Sequence, residues 1–465
     1  MVSDTERHYR SRSLWLDGVP ESLEPRPSLR GEQSCDIAIV GAGFGGLWTA
    51  YYLKLRQPDA RIAVVEREVA GFGAAGRNGG WVSAGIAGSS RVYARKHGRD
   101  AVLRAERETH QAVDEIGRVV QEEQIDCGYL KAGALTLATS EPQRARLVSR
   151  VAAQHQLGLS EEDVTLLSAA EALERIRGAS GVLAGSFSPH CARVDPARLA
   201  RGIAAACERR GVTIYERTRA TALESGVVRC EGGSLRADVV LRATESYTIQ
   251  EPGQQSRFLP LYSLMIATEP LAPEVWNELG WTEGMTAIDK RHLYYYAQPT
   301  ADGRIAIGGR GAPYRLRAPL AEQNERDDAV RQRLIRTMHE AFPATRGARI
   351  THHWGGPLAV PRDWCMSVSF DRSTGLGWTG AYGGHGVVAA NIGGRTLADL
   401  VLGRKTDLLS LPWVEHRSRR WEPEPLRFMA SWLIVKTLAS ADHHEDTAGK
   451  QAHRTKLVEP FVQAP

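Results

Sequence analysis

The chain has 465 residues, 42% hydrophobic and 24% charged, with a formal net charge of +5. That length exceeds one ordinary hydrophobic core, so two closely joined domains are expected. The composition excludes a largely disordered chain, and the small charge excess argues against nucleic acid as the main partner. No stretch reaches the roughly 18 uninterrupted apolar residues that a membrane span needs.

The opening Met1-Val-Ser-Asp-Thr-Glu-Arg-His8 carries no apolar run and does not read as a secretory signal, so residues 1–33 are expected to form an N-terminal arm. The cysteines at 35, 127, 191, 207, 230 and 365 are scattered, with no CxxC spacing. Such usage fits buried thiols in a reducing, cytoplasmic setting and points to no metal site. The pairs His352-His353 and His443-His444 read as surface or packing positions, because adjacent side chains do not face one another on a helix.

The first informative segment is Asp36-Ile-Ala-Ile-Val40, a buried parallel strand, followed by Gly41-Ala-Gly43-Phe-Gly45-Gly46 and an apolar-faced helix over 47–55. Gly41 suits a tight turn, Gly43 a close approach to a pyrophosphate, and Gly46 close packing of helix on strand. A second strand, Ile62-Ala-Val-Val65, ends at Glu66, twenty residues beyond Gly46, where a carboxylate can accept hydrogen bonds from a ribose diol. Strand, glycines, helix, strand and acid in this order predict an adenine dinucleotide on a helix N-terminus. After Arg67, the run Gly71-Phe-Gly73-Ala-Ala-Gly76-Arg77-Asn78-Gly79-Gly80 is too glycine-rich for a helix or strand. It suits backbone wrapped around a ligand, with Arg77 and Asn78 as polar contacts, or alternatively a flexible surface loop.

Further along, 100–123 reads as a charged helix, 197–208 as an amphipathic helix behind Val194-Asp195-Pro196, and 326–342 as another helix. Strand-like segments follow the second of these at Gly211–Ala220 and Ala237–Thr244. In Tyr294-Tyr-Tyr296 a strand would put 294 and 296 on one face. The run Leu376–Thr379 and a helical period from Val387 to Leu402 set Gly384-His385-Gly386 on a strand-to-helix turn, with helix N–H groups facing outward. His385 either holds this turn or touches a ligand there. Trp421-Glu-Pro-Glu-Pro425 breaks regular structure, 426–441 reads as a helix apolar nearly all round, and the last residues read as a frayed tail. Docking of that helix onto its own protein is the expected outcome. A subunit interface comes next, and attachment to a membrane surface is the least favoured because the polar face is poor.

Taken together, the glycine motif, the GRNGG run, Val194–Ala220, Ala237–Thr248, Leu293–Arg310 and Trp378–Ala390 resemble the D-amino-acid-oxidase-like family of FAD-dependent amine oxidoreductases. Within it, the branch containing gamma-glutamylputrescine oxidoreductase is the most similar. The resemblance implies an α/β, glutathione-reductase-like flavoprotein of the D-amino-acid-oxidase type. Its FAD-binding Rossmann-like domain would be discontinuous (34–90, 190–250 and 350–412). An α+β substrate domain with a mixed antiparallel sheet would fill 91–189 and 251–349, leaving 413–465 as a C-terminal helix and tail. It also implies cofactor contacts at Gly41, Gly43, Gly46, Glu66, Arg67, Gly73, Arg77, Asn78, Gly79, Ala220, Ala243, Thr244, Gly384, His385, Gly386 and Val387. Tyr294, Tyr296 and His385 are the implied catalytic groups, and Trp354, Tyr382 and Arg310 the implied substrate contacts.

The implied chemistry is oxidation of a primary or secondary amine or an amino acid by hydride transfer to flavin N5. The imine is then hydrolysed, with oxygen or another acceptor taking the electrons. Two departures stand out. Relatives that oxidise sarcosine carry a lysine where this chain has Arg304 or Ala306, which leaves oxidase and dehydrogenase both open. The Gly73–Gly80 run has no histidine or cysteine for a covalent link, and Cys365 sits too close to Gly384 to match relatives that use one, so FAD is expected to be non-covalent. A flavin monooxygenase, a silent dinucleotide-binding protein and a nicotinamide dehydrogenase are the competing readings, and a homo-oligomer is possible on any of them.

Overall fold

The computed structural model describes residues 3–281, 283–316, 319–458 and 461. Two sheets organise it. The first has six strands in the order Ser367–Asp371, Leu376–Gly380, Val239–Arg242, Ile37–Val40, Ile62–Val65 and Thr213–Tyr215. All run parallel except the edge strand Ser367–Asp371. Ile37–Val40 and Ile62–Val65 are buried at every position, the pattern of strands covered on both faces. The helices Phe44–Arg56, Pro196–Arg209 and Gly386–Leu402 share one hydrophobic cluster with this sheet through Leu47, Trp48, Leu199, Ile203, Ile392 and Leu397. The opposite face carries Ala220–Glu224, Val227–Cys230, Gly233–Arg236 and Gly31–Ser34, packed through Val228 and Leu235 onto Ala38, Val40, Ala63 and Val65.

The second sheet has eight strands, in the order Ile350–Val360, Leu259–Thr268, Ile305–Gly309, Tyr295–Pro299, Thr286–Asp289, Ala134–Ala138, Ala184–Ser188 and Thr165–Ser168. It is antiparallel apart from the parallel pair Thr286–Asp289 and Ala134–Ala138. Asp328–Ala341 packs on it through Val330, Leu334 and Met338. Ile350–Val360, assigned by the sequence to the cofactor segments, instead pairs along its length with Leu259–Thr268. The chain rejoins the six-stranded sheet at Ser367.

The N-terminal arm is a packed strap. Its helices Asp4–Arg10 and Leu14–Asp17 bury Tyr9, Leu14, Trp15 and Leu16 against Val69 and Phe72 of the glycine-rich segment and against Met265, Ala306 and Trp354 of the large sheet. Ser13 Oγ donates to the Gly76 carbonyl and Trp15 Nε1 to the Asn78 carbonyl. The C-terminal helix runs Leu426–Ala448, beyond the expected end at 441, because Glu445 is itself an anchor: it accepts from Arg146 and from the Ala452 N–H.

Candidate active site

One cavity of about 1700 Å³ runs between the two sheets. It begins at the C-terminal ends of the parallel strands, where this topology leaves a crevice. Here the turn after Ile37–Val40 bends through Gly41 at φ +105°, and any Cβ there would press on the Ala243 carbonyl. A Cβ on Gly46 would overlap the Gly41 carbonyl oxygen, so both glycines are steric requirements. Gly43 differs: it is the N-cap of Phe44–Arg56, no side chain caps that helix, and the space beside its Cα is open. An uncapped helix N-terminus facing a cavity is a cradle for an anionic group, which fits a dinucleotide diphosphate.

Glu66 lies in the cavity wall and accepts N–H bonds from Ala42 and Glu68. Burial raises its carboxyl against the pull of those bonds. Arg67 bonds Gln250 and lies over the Tyr247 ring at 4.8 Å. Gly73, Gly79, Ala220, Ala243, Thr244, Gly384, Gly386 and Val387 line the same cavity.

Three expected contacts are corrected. Arg77 touches the cavity, but its guanidinium turns inward, pairing with Glu325 at 2.5 Å and donating to the Phe72 and Gly355 carbonyls and the Tyr247 hydroxyl. Asn78 likewise is taken up by its own loop, donating to the Ala74 and Ala75 carbonyls and accepting from the Gly80 N–H. Both pin the glycine-rich run from behind and leave its backbone to face the cavity. Trp354 does not line the cavity: it is buried edge-on against Trp15 of the arm and donates to the Arg77 carbonyl. Cys365 is also behind the wall, its thiol on the Asp363 carbonyl and pushed up to about 12 by burial.

The far end is aromatic. Tyr294 and Tyr296 both line it, while Tyr295 turns away onto Phe342. Tyr296 shares a hydrogen bond with Ser263 and meets Trp81 edge-on at 6.1 Å. Its ring fills the space that side chains at Gly79 and Gly308 would need. Arg310 sits between two rings, its guanidinium carbon 5.8 Å from the centroids of both Tyr294 and Trp364. Its own N–H bonds the Tyr294 carbonyl. His385 is the N-cap of Gly386–Leu402 and lies against Gly85. Burial pulls its imidazole below the usual range, with Arg150 adding to the effect. Tyr382 borders the cavity, but its hydroxyl pairs with Thr379 at the crossing of two helices.

Sequence reasoning missed Glu245, Trp364 and the inner face of the last helix (Ser431, Ile434, Val435, Leu438), all of which line the cavity. No motif marks them. Glu245 is half-buried in the cavity wall; one oxygen accepts the Tyr382 N–H, the other has no partner among the described residues, and its carboxyl is pushed up to about 7. A folded-state value above the unfolded one means the apoprotein loses stability as pH rises from about 4.5 through 7. Glu245→Gln removes that ionisation. Thermal melts of apoprotein are expected to show the variant more stable by on the order of 3 kcal/mol at pH 8 and unchanged at pH 4.5. Equal gains at both values would refute the assignment.

Comparison with known proteins agrees with this geometry. The family profile described as FAD dependent oxidoreductase (DAO) matches residues 36–400. The gamma-glutamylputrescine oxidoreductase of Escherichia coli K12 is 28% identical over 386 residues, 82% of this chain and 86% of that protein. A probable oxidoreductase OrdL of Haemophilus influenzae is 26% identical over 403 residues, covering 84% of this chain and 88% of its own. Among solved structures, glycine oxidase from Geobacillus kaustophilus superposes with a TM-score of 0.68 at 21% identity, over 83% of this chain and 100% of that one. L-proline dehydrogenase from P. horikoshii gives 0.65 at 19%, over 83% and 98%. These last two share the fold. With the family profile spanning most of its length, the glycine cradle and the two-sheet cavity have a common explanation: the chain belongs to the DAO family of FAD-dependent oxidoreductases.

Proposed function

We propose that the protein oxidises the carbon–nitrogen bond of a small primary or secondary amine or an amino acid, with non-covalently held FAD. The observation that carries this reading is the far end of the cavity. It combines an aromatic lining from Trp81, Tyr294, Tyr296 and Trp364, the Arg310 guanidinium between two of those rings, and His385, whose charged form burial disfavours. FAD, when bound, supplies the acceptor for hydride from the carbon beside nitrogen, and the resulting imine hydrolyses to an aldehyde or ketone. Gly41, Gly43 and the N-terminus of Phe44–Arg56 would receive its diphosphate, Glu66 its ribose, and the Gly384–Val387 turn its ring system. Among the described residues no cysteine lines the cavity, in keeping with a non-covalent cofactor.

The residues themselves prepare the amine. A free alkylammonium loses its proton near pH ~10. Desolvation by the aromatic wall and the positive Arg310 both disfavour the charged form, so the bound amine gives up its proton more readily than in water. The positive charge of Arg310 at this end of the cavity also attracts a carboxylate, which favours amino acids among amines. Trp81 and Tyr296, locked edge to face, hold the pocket shape and exclude water.

Anaerobic titration of the purified yellow protein with amines and amino acids is the test. Bleaching of the flavin band by one class is expected, with a rate that climbs as pH rises and levels off at high pH as the bound amine is fully deprotonated. A protein that no amine bleaches, or a rate that falls with rising pH, sinks the proposal. Readmitting air then separates an oxidase from a dehydrogenase.

A further inference from the structure

Away from the cavity, side chains from three separate segments converge on one oxygen. His110 belongs to the helix Arg99–Glu122, Asp163 to the loop after the helix Glu141–Leu157, and His190 to the turn between Ala184–Ser188 and Cys191–Arg193. His110 Nδ1 lies 3.3 Å and His190 Nε2 3.0 Å from the same atom, Asp163 Oδ1. The three ligand atoms all fall within 4.8 Å of one another. A tetrahedral zinc ion, with bonds of roughly 2.0–2.2 Å to imidazole nitrogen and carboxylate oxygen, sets its ligand atoms roughly 3.3–3.5 Å apart. The cluster therefore has the span of a three-ligand zinc site. No short sequence spacing marks it, because each ligand comes from a different segment.

Nothing else claims these atoms. Among the described residues neither imidazole makes another hydrogen bond, and His190 Nδ1 is buried with no partner. Asp163 divides its oxygens: Oδ2 accepts the Ser160 N–H and hydroxyl, which fixes the carboxylate, and Oδ1 is left to the two histidines. An outer partner that orients a ligand carboxylate is a regular part of a metal site. Two other groupings of such residues differ in this respect. Asp363 is taken up by Ser418 and the Cys365 N–H as well as by His416, while Arg146 and backbone N–H groups occupy Glu445 and Asp442. Lys131, whose charge reaches His110, is paired with Asp114.

We infer that His110, Asp163 and His190 bind one divalent transition-metal ion of the zinc class, with water in the fourth position. Their side chains are 14, 26 and 19% exposed, which leaves the ion a path from solvent. The two rings lie face to face, 3.7 Å apart, and open from that stack as the ion enters. No other hydrogen bond resists the rotation. The bound ion fastens the back of the cavity wall. The His190 carbonyl accepts the Ala84 N–H, and Thr109, next to His110, accepts the Gly85 N–H through its hydroxyl. Ser83 and Gly85 line the cavity, and Gly85 lies against His385. Both histidine-bearing segments thus grip residues 84–85, so the ion stabilises the surround of the active site without touching it. The inference is independent of which amine is oxidised.

The test uses untagged holoenzyme, stripped with EDTA, dialysed and titrated with zinc chloride in a calorimeter. One equivalent is expected to bind and to raise the melting temperature. His110→Gln and His190→Gln are each expected to weaken that binding at least about 100-fold, beyond the loss caused by removing an outer partner. Both should also abolish the zinc-dependent rise in melting temperature while flavin content and circular dichroism stay as in the parent. Asp163→Asn, which can still accept the Ser160 N–H, probes the same site if either histidine variant fails to fold. Absence of zinc binding overturns the inference. So does one equivalent bound equally well by the variants, which would assign the ion to another group of side chains.

Discussion

Gly43→Val is expected to give a folded, colourless protein. Residue 43 caps the helix Phe44–Arg56 at φ −83° and ψ −176°, a conformation any residue adopts, and the nearest atom to a Cβ there is the Ala75 Cβ at 3.9 Å. Valine therefore fits the fold. Its isopropyl group, however, would occupy the space where a diphosphate meets the helix N–H groups. Loss of two charge-assisted hydrogen bonds at roughly 1.5–3 kcal/mol each lowers FAD affinity on the order of 10²–10⁴-fold. Gly46→Ala is the contrasting case. Its added methyl overlaps the Gly41 carbonyl, within the turn that shapes the cradle, so that variant is expected to lose stability as well as cofactor. Flavin absorbance and circular dichroism together separate the two. Full flavin content in Gly43→Val would place the diphosphate elsewhere.

Arg77→Met is expected to destabilise the protein by about 3–5 kcal/mol, the usual consequence of removing one partner from a buried pair. Arg77 has no exposed side-chain surface, and among the described residues Glu325 is left with only Arg12 at 3.4 Å once it is gone. The destabilisation comes mainly from the stranded Glu325 carboxylate, so adding Glu325→Gln should recover about half of it. Urea denaturation of the two single variants and the double variant closes the cycle. Additive losses would show that Arg77 acts through its carbonyl bonds to Phe72 and Gly355 instead.

The parallel strands and their glycines were legible because their chemistry is local. Four buried β-branched or small residues ending at Gly41 read as a covered strand whatever lies elsewhere, and the helices over 99–122, 196–209 and 386–402 follow from their periodicity. Partners distant in the chain were not legible. Trp354 reads as a pocket aromatic until Trp15, more than three hundred positions earlier, is seen against its edge. Arg77 and Asn78 sit among glycines where a ligand contact is the natural expectation. Only the position of Glu325 and the path of the loop show that they hold the backbone from behind. The strand Ile350–Val360 is long and aromatic at its centre, and nothing within it tells which sheet it joins. The final helix misled for a related reason: apolar residues all round suggest burial, yet Leu426, Met429, Trp432 and Leu433 are exposed, and the ion pairs that fix its rotation come from Arg146 and His292 in other segments.

The arm docks onto partners more than three hundred positions further along the chain. Trp15 rests on Trp354, and Arg12 reaches Glu325. Contacts of such separation raise contact order and slow folding. Tyr9, Leu14, Trp15 and Leu16 therefore stay unshielded until residues 325–354 have been synthesised and have joined the large sheet.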